Sequence, residues 1–178
     1  MPLNLPNLLT LGRIVLILPF ALVFLHGSLQ SRWVALVLFV IAAATDWFDG
    51  YLARRLNQGS PFGRMLDPIA DKLLVVSAVL LLVSTGGIAG WPIAAALIIL
   101  LREIAVSGFR EYLGPLGVVV PVSRLAKWKT AAQLVALCLL IAPMPSLEMP
   151  GDTLLWIAAA MTVVTGWSYF RATMRAMA

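Results

Sequence analysis

Asp46-Trp47-Phe48-Asp49-Gly50-Tyr51-Leu52-Ala53-Arg54 and, nine positions on, Gly63-Arg64-Met65-Leu66-Asp67-Pro68-Ile69-Ala70-Asp71 decide the fold of this chain. Asp46, Asp49, Gly50, Ala53 and Arg54 are spaced 0, 3, 4, 7 and 8, which makes one helical stripe. Gly63, Asp67 and Asp71 are spaced 0, 4 and 8, a second stripe. Four carboxylates on two helices are foreign to their surroundings. Hydrophobic residues make up 61% of the 178-residue chain and charged residues only 12%. A water-soluble globule carries about 25% charged residues, so this chain has too little polar surface to be one. The composition predicts an all-α, polytopic membrane protein. One Cys and one His exclude an internal disulfide and a protein-only Cys/His zinc site.

Outward from the two stripes, the chain divides into six apolar blocks. They run from about Leu8 to Leu25, Trp33 to Leu56, Gly63 to Val83, Trp91 to Leu113, Leu125 to Ala142 and Thr153 to Ala172. Gly, Pro, Ser and Asn clusters separate them, the longest from Pro143 through Gly151. A spanning helix needs about 20 residues, so six spans with short loops fill residues 1–178 as a single integral-membrane domain. The first block is expected to be a span and not a cleaved signal, since Arg13 interrupts it and no basic segment precedes it. With the ends numbered alternately, only Arg32 among the 13 Lys and Arg residues falls on the side opposite the N-terminus. The positive-inside rule then places both termini in the cytoplasm. The excess of basic residues is thereby explained without nucleic acid.

Depth connects the two stripes. Asp46 and Asp71 each lie eight residues, about 12 Å, from the cytoplasmic ends marked by Arg54 and Gly63. Asp49 and Asp67 lie about 6–8 Å from the same ends. An antiparallel hairpin therefore sets Asp46 level with Asp71 and Asp49 level with Asp67. Each uncompensated intramembrane charge costs several kcal/mol, so four carboxylates at one depth call for cations. All-oxygen ligation selects Mg²⁺, Mn²⁺ or Ca²⁺, and two such ions about 4 Å apart suit displacement at phosphorus. Structural ion pairs with Arg54, Arg64 and Lys72 are the plainer reading, but four aligned carboxylates exceed what helix docking requires. A cation transporter is the alternative from another class. Against it, all four carboxylates sit near one end, and the companion arginines obstruct cations while suiting phosphate.

The pattern Asp46-x2-Asp49-Gly50-x2-Ala53-Arg54-x8-Gly63-x3-Asp67-x3-Asp71 resembles the complete signature of the CDP-alcohol phosphotransferases. The resemblance implies six transmembrane helices, a homodimer in a bacterial cytoplasmic membrane and a cytoplasm-facing site. It implies transfer of a phosphatidyl group from CDP-diacylglycerol to an alcohol, with release of CMP. It implies Mg²⁺ or Mn²⁺ on Asp46, Asp49, Asp67 and Asp71, with Asp71 as general base, and nucleotide-diphosphate contacts at Gly50, Arg54 and Gly63. Residues 4–13, 102–111 and 122–133 further resemble the bacterial phosphatidylglycerophosphate synthase branch, whose acceptor is sn-glycerol 3-phosphate.

An anionic acceptor suits the remaining charges. Arg102 and Arg110, eight apart, share roughly one face of the fourth helix, and Lys127 and Lys129 open the fifth. A phosphate monoester beside four carboxylates needs such cations, whereas serine or inositol does not. Lys127 and Lys129 are about 200° apart on a helix, so at most one points into a given pocket. Glu103 is expected to orient Arg102 or to act as its buried counter-ion. Asn7 and Thr10, three apart on the first helix, are assigned to the nucleotide pocket. Arg13, about two turns inside the span, either lines that pocket or pairs with an Asp.

Overall fold

A computed structural model describes residues 4–55, 61–118 and 123–177, except the side chains of 6, 46, 47, 49–55, 61 and 64. Six α-helices appear, and among the described residues there is no strand. They are α1 (Leu5–Leu25), α2 (Leu29–Arg55), α3 (Pro61–Ser84), α4 (Pro92–Leu113), α5 (Arg124–Ile141) and α6 (Glu148–Met177), with a 3₁₀ turn at Pro145–Leu147. The expected helix boundaries hold within a few residues. The exceptions are both ends of α6, expected near Thr153 and Ala172 and found at Glu148 and Met177. Pro150 sits in its first turn, where a backbone N–H has no intrahelical acceptor to lose, so it does not delay the helix.

Local chemistry sets several ends. Pro6 and Pro92 occupy first-turn positions of α1 and α4. Gly27 and Gly86, at φ 76° and 77°, turn the chain out of α1 and α3 in the left-handed region that other residues resist. Ser123 caps α5 by accepting the N–H of Ala126 at 3.2 Å.

The chain forms two compact units, residues 1–87 with 140–145, and residues 88–139 with 146–178. In the first, α1 packs on both α2 and α3, which also touch each other. Phe20 packs in tilted ring contacts against Phe24 and Phe39 at ring separations of 6.0 and 5.7 Å. Buried Ala35 and Ala42 flank Phe39 on α2 and let the helices approach closely. Arg32 donates to the carbonyls of Ile141 and Leu140 at 3.2 and 3.3 Å, and its guanidinium lies 4.4 Å from the Phe24 ring centre. Arg32 thus caps the last carbonyls of α5. In the second unit α4 packs on α6 through Ala95, Ala96 and Ile99 on one helix and Leu155, Ala158 and Ala159 on the other, all buried.

Polarity runs opposite to that of a soluble protein. Val15, Leu18 and Leu22 of α1 are 63–70% exposed, while Arg13 on the same helix is 1% exposed. Asn7, Thr10, Lys129, Gln133, Thr162 and Thr173 are likewise buried. Apolar exteriors with the polar and charged side chains turned inward are what lipid as solvent demands. Among the described residues three helical stretches, Asn7–Leu25, Pro92–Leu113 and Pro145–Met177, are long and apolar enough to cross a membrane. Cross-helix contacts fix directions within each unit. Phe24 meets Arg32 and Phe20 meets Phe39, so α1 and α2 are antiparallel. Thr10 meets Asp67 and Arg13 meets Asp71, so α1 and α3 are parallel. Arg102 meets Thr165 and Arg110 meets Tyr169, so α4 and α6 are parallel. Each is the relation that alternating spans require.

Candidate active site

Two groups of polar side chains stand out, one in each unit. In the first unit, α3 presents Asp67 and Asp71 four residues apart, so both carboxylates lie on the same face. Their partners come from α1. The Thr10 hydroxyl donates to Asp67 Oδ1 at 2.9 Å, and Arg13 Nη1 donates to Asp71 Oδ1 at 2.8 Å. The Arg13 side chain is fully buried, whereas that of Asp71 is 50% exposed. Of the two alternatives for Arg13, pairing with a carboxylate is the one adopted. Thr10, expected in the nucleotide pocket, has its hydroxyl hydrogen committed to Asp67. Asn7 is buried one turn earlier on α1.

Pro68 follows Asp67 inside α3. It has no N–H, so the carbonyl four residues earlier loses its helical donor next to the carboxylates. Gly63 is buried at the start of the same helix. Asp46, Asp49, Gly50 and Arg54 fall in the last three turns of α2, and their side chains lie outside the described set.

These residues fit a divalent cation by donor chemistry. The described donors are carboxylate oxygens, hard ligands that favour Mg²⁺ or Mn²⁺. Asp67 engages one oxygen with Thr10, which leaves the second for a cation. Asp67 and Asp71 alone do not make a cluster of three, and no such cluster of His, Cys, Asp or Glu occurs among the described residues. The helix that carries Asp46 and Asp49, α2, touches α3.

The second unit gathers cations. Glu103 Oε1 accepts from Arg102 Nη1 at 3.0 Å and from Lys129 Nζ. Glu103 is thus both the orienting group and the counter-ion of Arg102. Arg102 Nη2 also donates to Thr165 Oγ1 at 3.0 Å. Arg110 donates through Nε and Nη2 to the Tyr169 hydroxyl at 3.2 and 2.8 Å. Arg102 and Arg110 are both near enough to act electrostatically on Lys129. Three cations against one carboxylate leave a local charge of +2. Lys129 is buried and paired, while Lys127 is exposed, so the two lysines separate as their angular spacing required. Thr165 and Tyr169 were not singled out in the sequence. The available signal was a polar stripe, Thr162, Thr165, Tyr169 and Thr173, on the buried face of an otherwise apolar α6.

Asp67 and Asp71 on α3, and a surplus of guanidinium and ammonium groups on α4 and α5, thus lie on helices of a chain with stretches apolar enough to cross a membrane. The sequence model described as CDP-alcohol phosphatidyltransferase matches residues 3–164, and the chain belongs to that family. Its relatives carry a more specific name, CDP-diacylglycerol–glycerol-3-phosphate 3-phosphatidyltransferase. The Rickettsia bellii protein is 46% identical over 95% of this chain and 94% of its own length. The Escherichia coli protein is 43% identical over 97% and 96%, and the Bacillus subtilis protein is 41% identical over 94% and 93%.

Proposed function

We propose that this chain transfers the phosphatidyl group of CDP-diacylglycerol to sn-glycerol 3-phosphate, giving phosphatidylglycerophosphate and CMP. The observation that carries the acceptor assignment is the +2 surplus around Glu103. A phosphate monoester carries about −1.5 to −2 charge near neutral pH and offers three acceptor oxygens. It therefore balances Arg102, Arg110 and Lys129 where serine or inositol would leave them uncompensated. Lys127, being exposed, is left to the membrane surface. The names of the relatives support the same acceptor.

Donor chemistry belongs to the first unit. Asp46, Asp49, Asp67 and Asp71 would hold two divalent ions, Mg²⁺ or Mn²⁺, which supply charge neutralisation at the pyrophosphate. Gly50, Arg54 and Gly63 contact the nucleotide diphosphate, and Asn7 contributes to the nucleotide pocket. Arg54 offers a fork of donors to phosphate oxygens. Thr10 orients Asp67, and Arg13 orients Asp71, which in turn compensates the buried guanidinium. Asp71 accepts the proton of the acceptor hydroxyl as that oxygen attacks the phosphorus bearing diacylglycerol. CMP departs. The donor explains the location of the site, since its headgroup reaches the cytosol while its acyl chains stay in lipid.

The proposal includes one phosphotransferase domain over residues 1–178, six spans with both termini cytoplasmic, a bacterial cytoplasmic membrane and a homodimer. The charge asymmetry and the alternating helix directions support the topology. Purified protein given CDP-diacylglycerol, Mg²⁺ or Mn²⁺ and a panel of acceptors tests the reaction. CMP release is expected with glycerol 3-phosphate. Faster release with serine, inositol phosphate or phosphatidylglycerol would reassign the acceptor. Ion flux in liposomes with no CMP release would replace the enzyme by a transporter.

A further inference from the structure

We propose that α6 is the positioning wall for the acceptor phosphate, with Thr165, Gly166 and Tyr169 setting where the guanidinium groups of Arg102 and Arg110 stand. The inference rests on the acceptor reading above and adds three residues to it.

Gly166 is a close-approach glycine. A Cβ built there would lie 3.0 Å from Arg102 Cγ and 3.3 Å from its Nε. The arginine is laid across the backbone of α6 at a residue with no Cβ to obstruct it. Its Nε is buried without a hydrogen-bond partner, so this placement is held at the expense of one donor. Thr165 then fixes the far end. Its hydroxyl lies 2.9 and 3.1 Å from the carbonyls of Met161 and Thr162, which take its proton and turn its lone pairs to Arg102 Nη2. With Nη1 on Glu103, the plane of the guanidinium is set from two sides.

Tyr169 does the same one turn further along. It is buried, accepts two N–H groups from Arg110, and has its ring centre 5.0 Å from the guanidinium carbon. A phenol that accepts two bonds keeps its own proton to donate. Among the described residues that proton meets no acceptor, so a phosphate oxygen held by Arg110 is its natural recipient. Tyr169 thereby both positions Arg110 and contributes a neutral donor to the anion.

Close packing of α4 on α6 would also ask for a small residue at 166, so the test must separate the two roles. Ala is a better helix former than Gly, and the atoms it meets belong to a flexible side chain. Gly166→Ala should therefore keep or raise the melting temperature of the full-length enzyme in lipid–detergent micelles. Its KM for glycerol 3-phosphate should rise about 3- to 10-fold, the value of one well-placed hydrogen bond. Its KM for CDP-diacylglycerol should stay within about twofold, on the same reasoning. Tyr169→Phe keeps the ring and removes only the hydroxyl, and it should show the same split. Thr165→Val should show it too, with Thr165→Ser recovering wild-type values. Arg102→Ala and Arg110→Ala are measured alongside. If they raise the acceptor KM while Gly166→Ala and Tyr169→Phe leave it unchanged, the α6 inference is overturned and the acceptor reading stands. If Gly166→Ala and Tyr169→Phe raise both KM values together and lower the melting temperature, α6 is only structural and the inference is again overturned. If Arg102→Ala and Arg110→Ala leave the acceptor KM unchanged, the acceptor reading falls, and this inference with it.

Discussion

Arg110→Ala is expected to raise the KM for glycerol 3-phosphate about 10- to 150-fold and to leave the KM for CDP-diacylglycerol within about twofold. The size follows from a charge-assisted hydrogen bond worth about 1.5–3 kcal/mol, at 1.4 kcal/mol per tenfold. The substitution lowers the local charge from +2 to +1, which weakens the hold on a dianion over and above the lost contact. Folding should survive. Arg110 is exposed in the last turn of α4, and among the described residues its side chain hydrogen-bonds to one neutral hydroxyl. The fold loses a cation that complements the helix C-terminus, an effect of about 0.3–1 kcal/mol. Arg102→Ala differs in degree. The Arg102 side chain is 12% exposed and shares Glu103 with Lys129, so its removal should move the acceptor KM in the same direction and also lower the melting temperature. The assay is steady-state CMP release in mixed micelles, each substrate varied with the other saturating. An unchanged acceptor KM in Arg110→Ala, or an equal rise in both KM values, would refute the reasoning.

Other perturbations probe the first unit and the scaffold. Asp46→Asn, Asp49→Asn and Asp67→Asn should each abolish turnover and weaken divalent binding in a metal titration; near-normal activity at low metal in any of them contradicts a shared two-metal site. Asp71→Asn should lose turnover while CDP-diacylglycerol binding falls less than in Asp46→Asn, and equal loss of donor binding would count against a distinct base role. Arg32→Ala removes two carbonyl contacts at the end of α5 and the contact with the Phe24 ring. It should destabilise by about 1–3 kcal/mol with both KM values unchanged; a selective KM effect would mean that the cap is more than structural.

Most of the helical layout was legible because lipid imposes a simple rule on composition and length. Apolar blocks bounded by Gly and Pro located the helices, and Pro150 misled at the start of α6, since a proline stops a helix from within but not in its first turn. The acidic stripes were legible because carboxylates are conspicuous in an apolar span. The spacing alone left the partner of Arg13 open, and that partner depends on α1 and α3 running parallel with Arg13 beside Asp71. The lysine pair was resolved by the rotation of α5, which buries Lys129 and exposes Lys127. Thr165, Gly166 and Tyr169 escaped notice for a different reason. Thr, Gly and Tyr are ordinary in membrane helices, and their meaning comes only from the arginines of α4 that reach them.

The phosphatidyl-transfer claim is tested most directly by oxygen tracing. Glycerol 3-phosphate labelled with ¹⁸O in its free primary hydroxyl is supplied with CDP-diacylglycerol and divalent metal, and both products are analysed by mass spectrometry. Attack of that hydroxyl on the phosphorus bearing diacylglycerol places all the label in phosphatidylglycerophosphate and none in CMP. Release of phosphatidic acid with the label in a cytidine monophosphate ester of glycerol phosphate would mean attack at the other phosphorus, and would contradict the account.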